Sequence, residues 1–344
     1  TFAMSVLYRK YRPKSWKDVT GQDPIVTVLS NEIKLGTVAH AYLFAGSRGT
    51  GKTSVARIFA TEVGTTPNDI YEIDAASNNS VDEIRALNEA VHTLPFESKY
   101  KVYILDEAHM LSKSAWNAFL KTLEEPPAHV IFILATTELD KVPETVQSRC
   151  QAFVFKRPSQ QILRVFSINI AKAEGRKLEA DASELVAILG DGSFRDTHGI
   201  LEKVFSSTTE KNIKRADVEM VTGAPRAELV RSVLESIVEK NMEKGMKAIA
   251  EARKANADIK IYSKLILEHL RYLFLIRLKA GVDEYILEES SEDDYKFLKD
   301  LAQKPAPHLT ADILIKFIEA SDSAGKTSIP ELPLEIALAE SIGN

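Results

Sequence analysis

The eight residues GSRGTGKT, Gly46 to Thr53, constrain the fold of this chain more than any other stretch. They follow a short apolar run, AYLFA (41–45), and lead into KTSVARIFATEV, where apolar residues recur every three or four positions. A glycine-rich turn between a strand and a helix curls backbone amides around phosphate oxygens, at a helix end whose dipole favours anions. On that pattern Gly46, Ser47, Arg48, Gly49, Thr50 and Gly51 form the cradle, with Ser54 following in the helix. Lys52 reaches the β- and γ-phosphates of a nucleotide, and Thr53 ligates Mg2+.

The surroundings of that loop repeat its alternation. DIYEID (69–74), KVYILD (101–106) and VIFILAT (130–136) read as strands, separated by the helical patterns SVDEIRALNEAVHTL and SKSAWNAFLKTLEE. Alternation of this kind predicts a parallel sheet covered by helices on both faces. After FKRPSQ (155–160) the strand signal stops, so the expected class is α/β followed by all-α. In the helical pattern 259–281, Ile261, Leu265, Leu267, Leu270, Leu273 and Phe274 need several neighbouring helices to be buried.

At 344 residues the chain is expected to hold two or three domains. No apolar run approaches the roughly 20 residues of a membrane span, and TFAMSVLYRKYRP lacks a secretory core. Met4 reads as the natural start, with three foreign residues ahead of it. The single cysteine, Cys150, excludes an internal disulfide and a zinc site built on several thiolates, and fits a reducing, cytoplasmic setting. A net charge of −5 argues against a protein that coats nucleic acid, although YRKYRPKSWK (8–17) carries five cations and no acid. That stretch is either a solvated strap or a binding face.

Further along, VYILDEAH ends a strand in Asp106, placed to hold the metal through water, and Glu107, placed to orient and deprotonate an attacking water. His109 reads as part of the polar network, not as the base. In ILATTEL, Thr136 and Thr137 either simply end a strand or position the water. Arg195, in GDGSFRDTHGILEKV, is either an ordinary ion-paired arginine or a group reaching back to the nucleotide. Arg149, in VPETVQSRCQAF, has Glu144, five residues away, as its nearest acid; a structural and a catalytic role are both open.

Together these pieces resemble the AAA+ ATPases and, more closely, the gamma/tau ATPase family of the bacterial DNA polymerase III clamp loader. The resemblance is carried by KYRPKSWKDVTGQ (10–22), HAYLFAGSRGTGKTSVARIFA (40–60), EIDAASNNSVDEIR (72–85), the stretch 101–138, VPETVQSRCQAF (142–153) and GSFRD (192–196). It implies an AAA+ ATPase domain at 4–158, a helical lid at 159–222 with Arg195 as sensor 2, and a helical collar at 223–344 that fastens five subunits into a ring. It implies ATP and Mg2+ as cofactors, and as partners the other clamp-loader subunits, a sliding clamp and primer–template DNA. ATP binding opens the clamp and hydrolysis releases it on primed DNA, an activity grouped with DNA-directed DNA polymerase. By the same resemblance Tyr8, Arg12, Val19 and Thr20 cover the adenine, with Thr145 and Phe194 nearby. Thr137 takes the sensor 1 position. Arg149, within Ser148-Arg149-Cys150, reaches the ATP of the adjacent subunit. Clamp contacts are expected near HTLPFESKY (92–100), and DNA phosphate contacts at Ser77, Asn78, Asn79, Arg85 and Lys113, at helix starts with few acids.

The chain departs from the family in three places. A four-cysteine zinc module is replaced by TEVGTTPNDIY, so no structural zinc is expected. Thr197 follows the sensor arginine-aspartate where a small residue is usual. The chain ends after the collar, as expected of a gamma-like or shortened member. An RNA helicase, invited by the letters DEAH, would need a second RecA-like domain that the helical remainder does not offer. Other AAA+ DNA motors, a replication factor C-like small subunit and a non-hydrolysing scaffold are the remaining alternatives. ATPase rate separates motor from scaffold, and stimulation by clamp with primed DNA separates loader from other motors.

Overall fold

Alternate residues of a strand point to opposite faces, so a strand apolar throughout must be covered on both sides. The computed structural model, which describes residues 7–279 and 281–343, meets that demand with one five-stranded sheet. Met4 and Asn344, the expected limits of the first and last domains, lie outside the described residues. The strands are β1 (Ala41–Ala45), β2 (Ile70–Asp74), β3 (Lys101–Asp106), β4 (Val130–Thr136) and β5 (Gln151–Val154). All pair in parallel, in the order β2-β3-β4-β1-β5.

Every residue of β1 and β4 is buried. Leu43, Leu105, Phe132 and Leu134 meet Ile84, Trp116 and Phe119 of the helices Val81–Ala90 and Lys113–Glu124. From the opposite face Tyr42, Phe44, Ile104 and Ile133 meet Leu29, Val55 and Phe59 of the helices Asp23–Leu35 and Lys52–Glu62. Each fully buried aliphatic or aromatic side chain contributes about 1.5–3 kcal/mol, so this double core fixes the register of the central strands. Register aligns the strand ends: Ala45 lies beside Thr136, and Leu105 beside Leu134.

Chain contacts divide the protein into two units. The first runs to Ile162 and includes Gly192–Asp196; the second comprises Leu163–Asp191 and the chain from Thr197 onward. The second unit is mostly helical and holds most of the stretch expected as lid and all of that expected as collar. The strand signal does not stop entirely: β6 (Lys177–Leu178) and β7 (Asn212–Ile213) form a short parallel pair. In the helix Ile259–Arg277, Leu265, Leu270 and Leu273 are buried as expected, whereas Ile261, Leu267 and Phe274 are half-buried. Ile259, Tyr262, Ser263, Ile266, His269 and Tyr272 take the remaining buried positions. No helix among the described residues is long and apolar enough to cross a membrane.

His269 belongs to a buried ionic cluster inside the second unit. Asp294 accepts from Arg231 at 2.6 Å and lies 3.4 Å from Arg215 and 3.7 Å from His269. Glu184 accepts from the Ser291 amide at 2.7 Å. Against the effect of burial, His269, Arg215 and Arg231 hold the Asp294 carboxyl well below the ordinary carboxylate range. Burial, with the Asp294 charge added, pushes Glu184 up. The donor atoms of Glu184, His269 and Asp294 lie within 4.8 Å of one another, yet arginines already engage both Asp294 oxygens. The arrangement is that of a structural ion cluster. Removing its central acid takes the carboxylate from Arg231 and leaves Arg215 with Glu219 alone, so Asp294→Ala is expected to lower unfolding stability by about 3 kcal/mol in urea denaturation. A change below about 0.5 kcal/mol would show that the cluster is energetically neutral.

Candidate active site

The loop after β1 turns where only glycine fits. Gly46 has φ +148°, and a Cβ there would sit 2.6 Å from the Phe155 carbonyl oxygen. Gly49 has φ +76°, and its Cβ would sit 2.0 Å from Ser193 Oγ. The helix Lys52–Glu62 follows with no acidic residue in its first turn, so the positive end of its dipole faces the loop. Lys52 is buried and donates from Nζ to the carbonyls of Gly46 (2.7 Å) and Ser47 (2.9 Å). Burial pushes its ammonium below the ordinary value, opposed by Glu107 and Asp106. Ser47 Oγ is buried without a hydrogen-bond partner among the described residues. Arg48 is exposed, Thr50 donates to the Ser47 carbonyl, and Ser54 is half-buried in the first turn.

Across the strand ends, Thr53 Oγ1 donates to Asp106 Oδ2 at 2.8 Å. A hydroxyl beside a carboxylate is an oxygen donor set suited to a hard cation such as Mg2+. Glu107 adopts a left-handed backbone, φ 49° and ψ 42°, a conformation that a non-glycine residue holds only under constraint. Its Oε2 accepts from Thr137 Oγ1 at 3.1 Å. Thr136, the other threonine of the pair, meets His109 Nδ1 at 3.1 Å. The structure thus brings Lys52, Thr53, Asp106, Glu107 and Thr137 to one edge of the sheet.

The periphery was only partly readable. Arg195 stacks over the Tyr8 ring at 5.3 Å, and the Phe194 amide donates to the Gly49 carbonyl at 3.0 Å. Val19 packs on the core, Thr20 is exposed, and Arg12 lies in the field of Arg57, Glu72 and Asp106. Burial and Arg57 push the Arg12 guanidinium down. Gln22, which carried no expected role, is buried and donates to the carbonyls of Lys156 (2.8 Å) and Thr50 (3.4 Å). Its partners are too distant in sequence for local spacing to reveal them.

Arg149 is not without an acid. It pairs with Glu124 at 2.6 Å, 25 residues upstream, and donates to the Thr145 carbonyl at 2.6 Å. Thr145 and Arg149, expected at different ends of the chemistry, therefore share one short turn. Cys150 packs against the core, and burial pushes its thiol up to about 12, which leaves it unreactive.

The expectation of helix starts with few acids holds for Lys113–Glu124, capped by Ser112 with no acid in its first turn, and fails for Val81–Ala90, whose first turn carries Asp82 and Glu83. The helix Val81–Ala90 starts after Ala76, within SNNSVDEIR as expected, and is capped by Ser80 and Glu83. Ser77 donates to the Asp74 carboxylate at 2.8 Å, and Asn78 to its carbonyl at 3.0 Å. Arg85 pairs with Asp82. The Asn79 carbonyl accepts from the Ser112 amide, beside exposed Lys113. In the loop 92–100, Leu94 and Phe96 are 78 % and 79 % exposed. The loop backbone is nevertheless pinned: Asp69 accepts from the amides of Phe96 (2.6 Å), Glu97 (3.0 Å) and Ser98 (2.9 Å).

Comparison with known proteins follows the same lines. The family model described as DNA polymerase III, delta subunit, matches residues 64–159. The chain is 36 % identical to the DNA polymerase III subunit tau of Bacillus subtilis, over 97 % of this chain and 62 % of that protein. It is 32 % identical to the DNA polymerase III subunit gamma of Buchnera aphidicola subsp. Schizaphis graminum, over 90 % of this chain and 91 % of that one. Against the gamma/tau subunit of Mycoplasma pneumoniae it is 43 % identical over 62 % of its length, and spans 34 % of that relative. Among solved structures, the RuvB Holliday junction branch migration motor of Thermotoga maritima superposes with a TM-score of 0.54 at 21 % identity, covering 75 % of this chain and 91 % of that one. That likeness concerns the fold alone.

Asp69 gives a direct test of the pinned loop. Although burial opposes it, the amides of Glu97, Phe96 and Ser98 hold its carboxyl at about 2. A depressed carboxyl stabilises the fold fully above its unfolded value of about 4, and that stability is lost as pH falls toward the folded value. Amide hydrogen exchange at 96–98 is therefore expected to accelerate between pH 4 and pH 2 beyond its intrinsic trend. Asp69→Asn, which replaces a charged acceptor, is expected to cost about 2 kcal/mol at neutral pH. Unchanged exchange in that variant would mean that the loop is held by other contacts.

Proposed function

The chain belongs to the family of DNA polymerase III gamma and tau subunits, and from that premise we propose that it is the ATPase subunit of a replicative clamp loader. ATP binding opens a ring-shaped sliding clamp, and hydrolysis on primer–template DNA releases the clamp around it. The observation that carries this reading is the convergence of Lys52, Thr53, Asp106, Glu107 and Thr137 at the aligned strand ends.

In this reading Lys52 leaves the Gly46 and Ser47 carbonyls for the β- and γ-phosphates, and the loop amides take the remaining oxygens. Thr53, and Asp106 through water, would hold Mg2+, which would supply neutralisation of phosphate charge. Glu107 orients water and takes its proton, with Thr137 fixing the carboxylate. Arg149 exchanges Glu124 for the γ-phosphate of an adjacent subunit. Its present ion pair is partly exposed and worth at most about 1 kcal/mol, so the exchange is inexpensive. Arg195 acts as sensor 2 from its place over Tyr8. Tyr8, Arg12, Val19, Thr20 and Phe194 cover the base.

The same proposal takes 159–222 as lid and 223–344 as the collar of a five-membered ring, working in the cytoplasm. Leu94 and Phe96, presented on a pinned backbone, supply apolar contacts to the clamp. Contacts to DNA are to phosphates, as loading at any primer end requires.

Steady-state ATPase of the assembled complex tests the reading: clamp and primed DNA together are expected to stimulate it, and absence of stimulation refutes the loader assignment. Arg149→Ala is expected to leave nucleotide affinity within about twofold while hydrolysis falls by about 1,000-fold. Loss of folding in that variant would instead identify the arginine as structural.

A further inference from the structure

His109 sits in the 3-10 turn Ala108–Met110, immediately after the constrained backbone of Glu107. The phosphate-loop chemistry does not require a histidine there. Its side chain is 7 % exposed, and oxygens meet both ring nitrogens. Nδ1 is 3.1 Å from Thr136 Oγ1 and 3.5 Å from Glu107 Oε2; Nε2 is 3.3 Å from Glu138 Oε1.

The proton bookkeeping of Thr136 decides the tautomer. Its hydroxyl donates to the Glu138 carbonyl at 3.2 Å and accepts from the Glu138 amide at 3.1 Å. A hydroxyl has one proton, so the bond to His109 requires Nδ1 to be the donor. That same Nδ1–H faces Glu107 Oε2, the oxygen that also accepts from Thr137. Both contacts therefore fall on Oε2 of Glu107. On the far side of the ring lies Glu138, a carboxylate that can only accept, itself tied to Lys141 at 2.8 Å.

We propose that His109 is a positioning residue for the general base: with Thr137 it clamps one oxygen of Glu107 and couples that carboxylate to the end of β4. The inference rests on the ATPase reading above. His109 does not touch the reacting atoms; it acts through Glu107, whose usefulness as a base depends on geometry before basicity.

The test compares three variants in the complete clamp-loader assembly with clamp and primed DNA. His109→Leu removes both polar edges and is expected to lower kcat about tenfold, with affinity for a fluorescent ATP analogue within twofold and Tm unchanged. His109→Asn returns an amide near Nδ1 and is expected to recover most of the rate. His109→Gln returns one near Nε2 and is expected to recover little. Wild-type turnover in His109→Leu overturns the proposal, and so does a parallel loss of nucleotide affinity, Tm and rate that Asn does not rescue. Glu107→Gln is measured alongside. If it hydrolyses ATP as the wild type does, the assignment of Glu107 as base fails, and the role of His109 fails with it.

Discussion

One hydrogen bond, from Thr53 Oγ1 to Asp106 Oδ2, joins the phosphate-loop helix to the end of β3, and the site depends on it. The two residues are 53 apart in sequence: Thr53 lies in the helix after β1 and Asp106 ends β3, with β4 between the two strands. Their meeting is a consequence of register. With β1 and β4 buried on both faces, a slip of one residue would send every side chain to the wrong face. Core packing thus places a hydroxyl against a carboxylate, and the polar chemistry inherits the precision of the apolar core.

The same register explains why Glu107 can be held in a left-handed conformation. Strain of that kind costs on the order of 1–3 kcal/mol and persists only where the surroundings over-determine it. Here the Glu107 amide donates to the Asp106 side chain, Thr137 donates to one carboxylate oxygen, His109 lies 3.5 Å from that oxygen, and buried Ala108 follows. Glu107 is held by neighbours just beyond the ends of β3 and β4. Arg149 shows the opposite design: its partner Glu124 lies at the surface, where release costs little.

What could be read in the sequence follows the distance over which each feature is encoded. The phosphate loop, Asp106 and Glu107 are runs of consecutive residues, and the central strands are apolar throughout because both faces are buried. β5 escaped notice as a strand because its four residues alternate between half-buried and exposed at a sheet edge. Gln22 could not be found because its partner Lys156 is 134 residues away. The Asp294 cluster draws on Arg231, 63 residues upstream, and Arg215, 79 upstream. The surroundings of Ser77 and Asn78 are hidden for a different reason: Asp74 precedes them and closes a turn that engages their side-chain donors. Polar residues near a helix start serve the backbone first.

The central claim is that the aligned strand ends form a metal-dependent ATP hydrolysis site built on Asp106 and Thr53. The most direct measurement is ATP turnover by the assembled complex as Mg2+ is titrated, for the wild type and Asp106→Asn. The account predicts saturable activation in the wild type and near-complete loss of turnover in the variant, with its fold intact by circular dichroism. Turnover in Asp106→Asn at the wild-type rate and with the same half-saturating Mg2+ would contradict it.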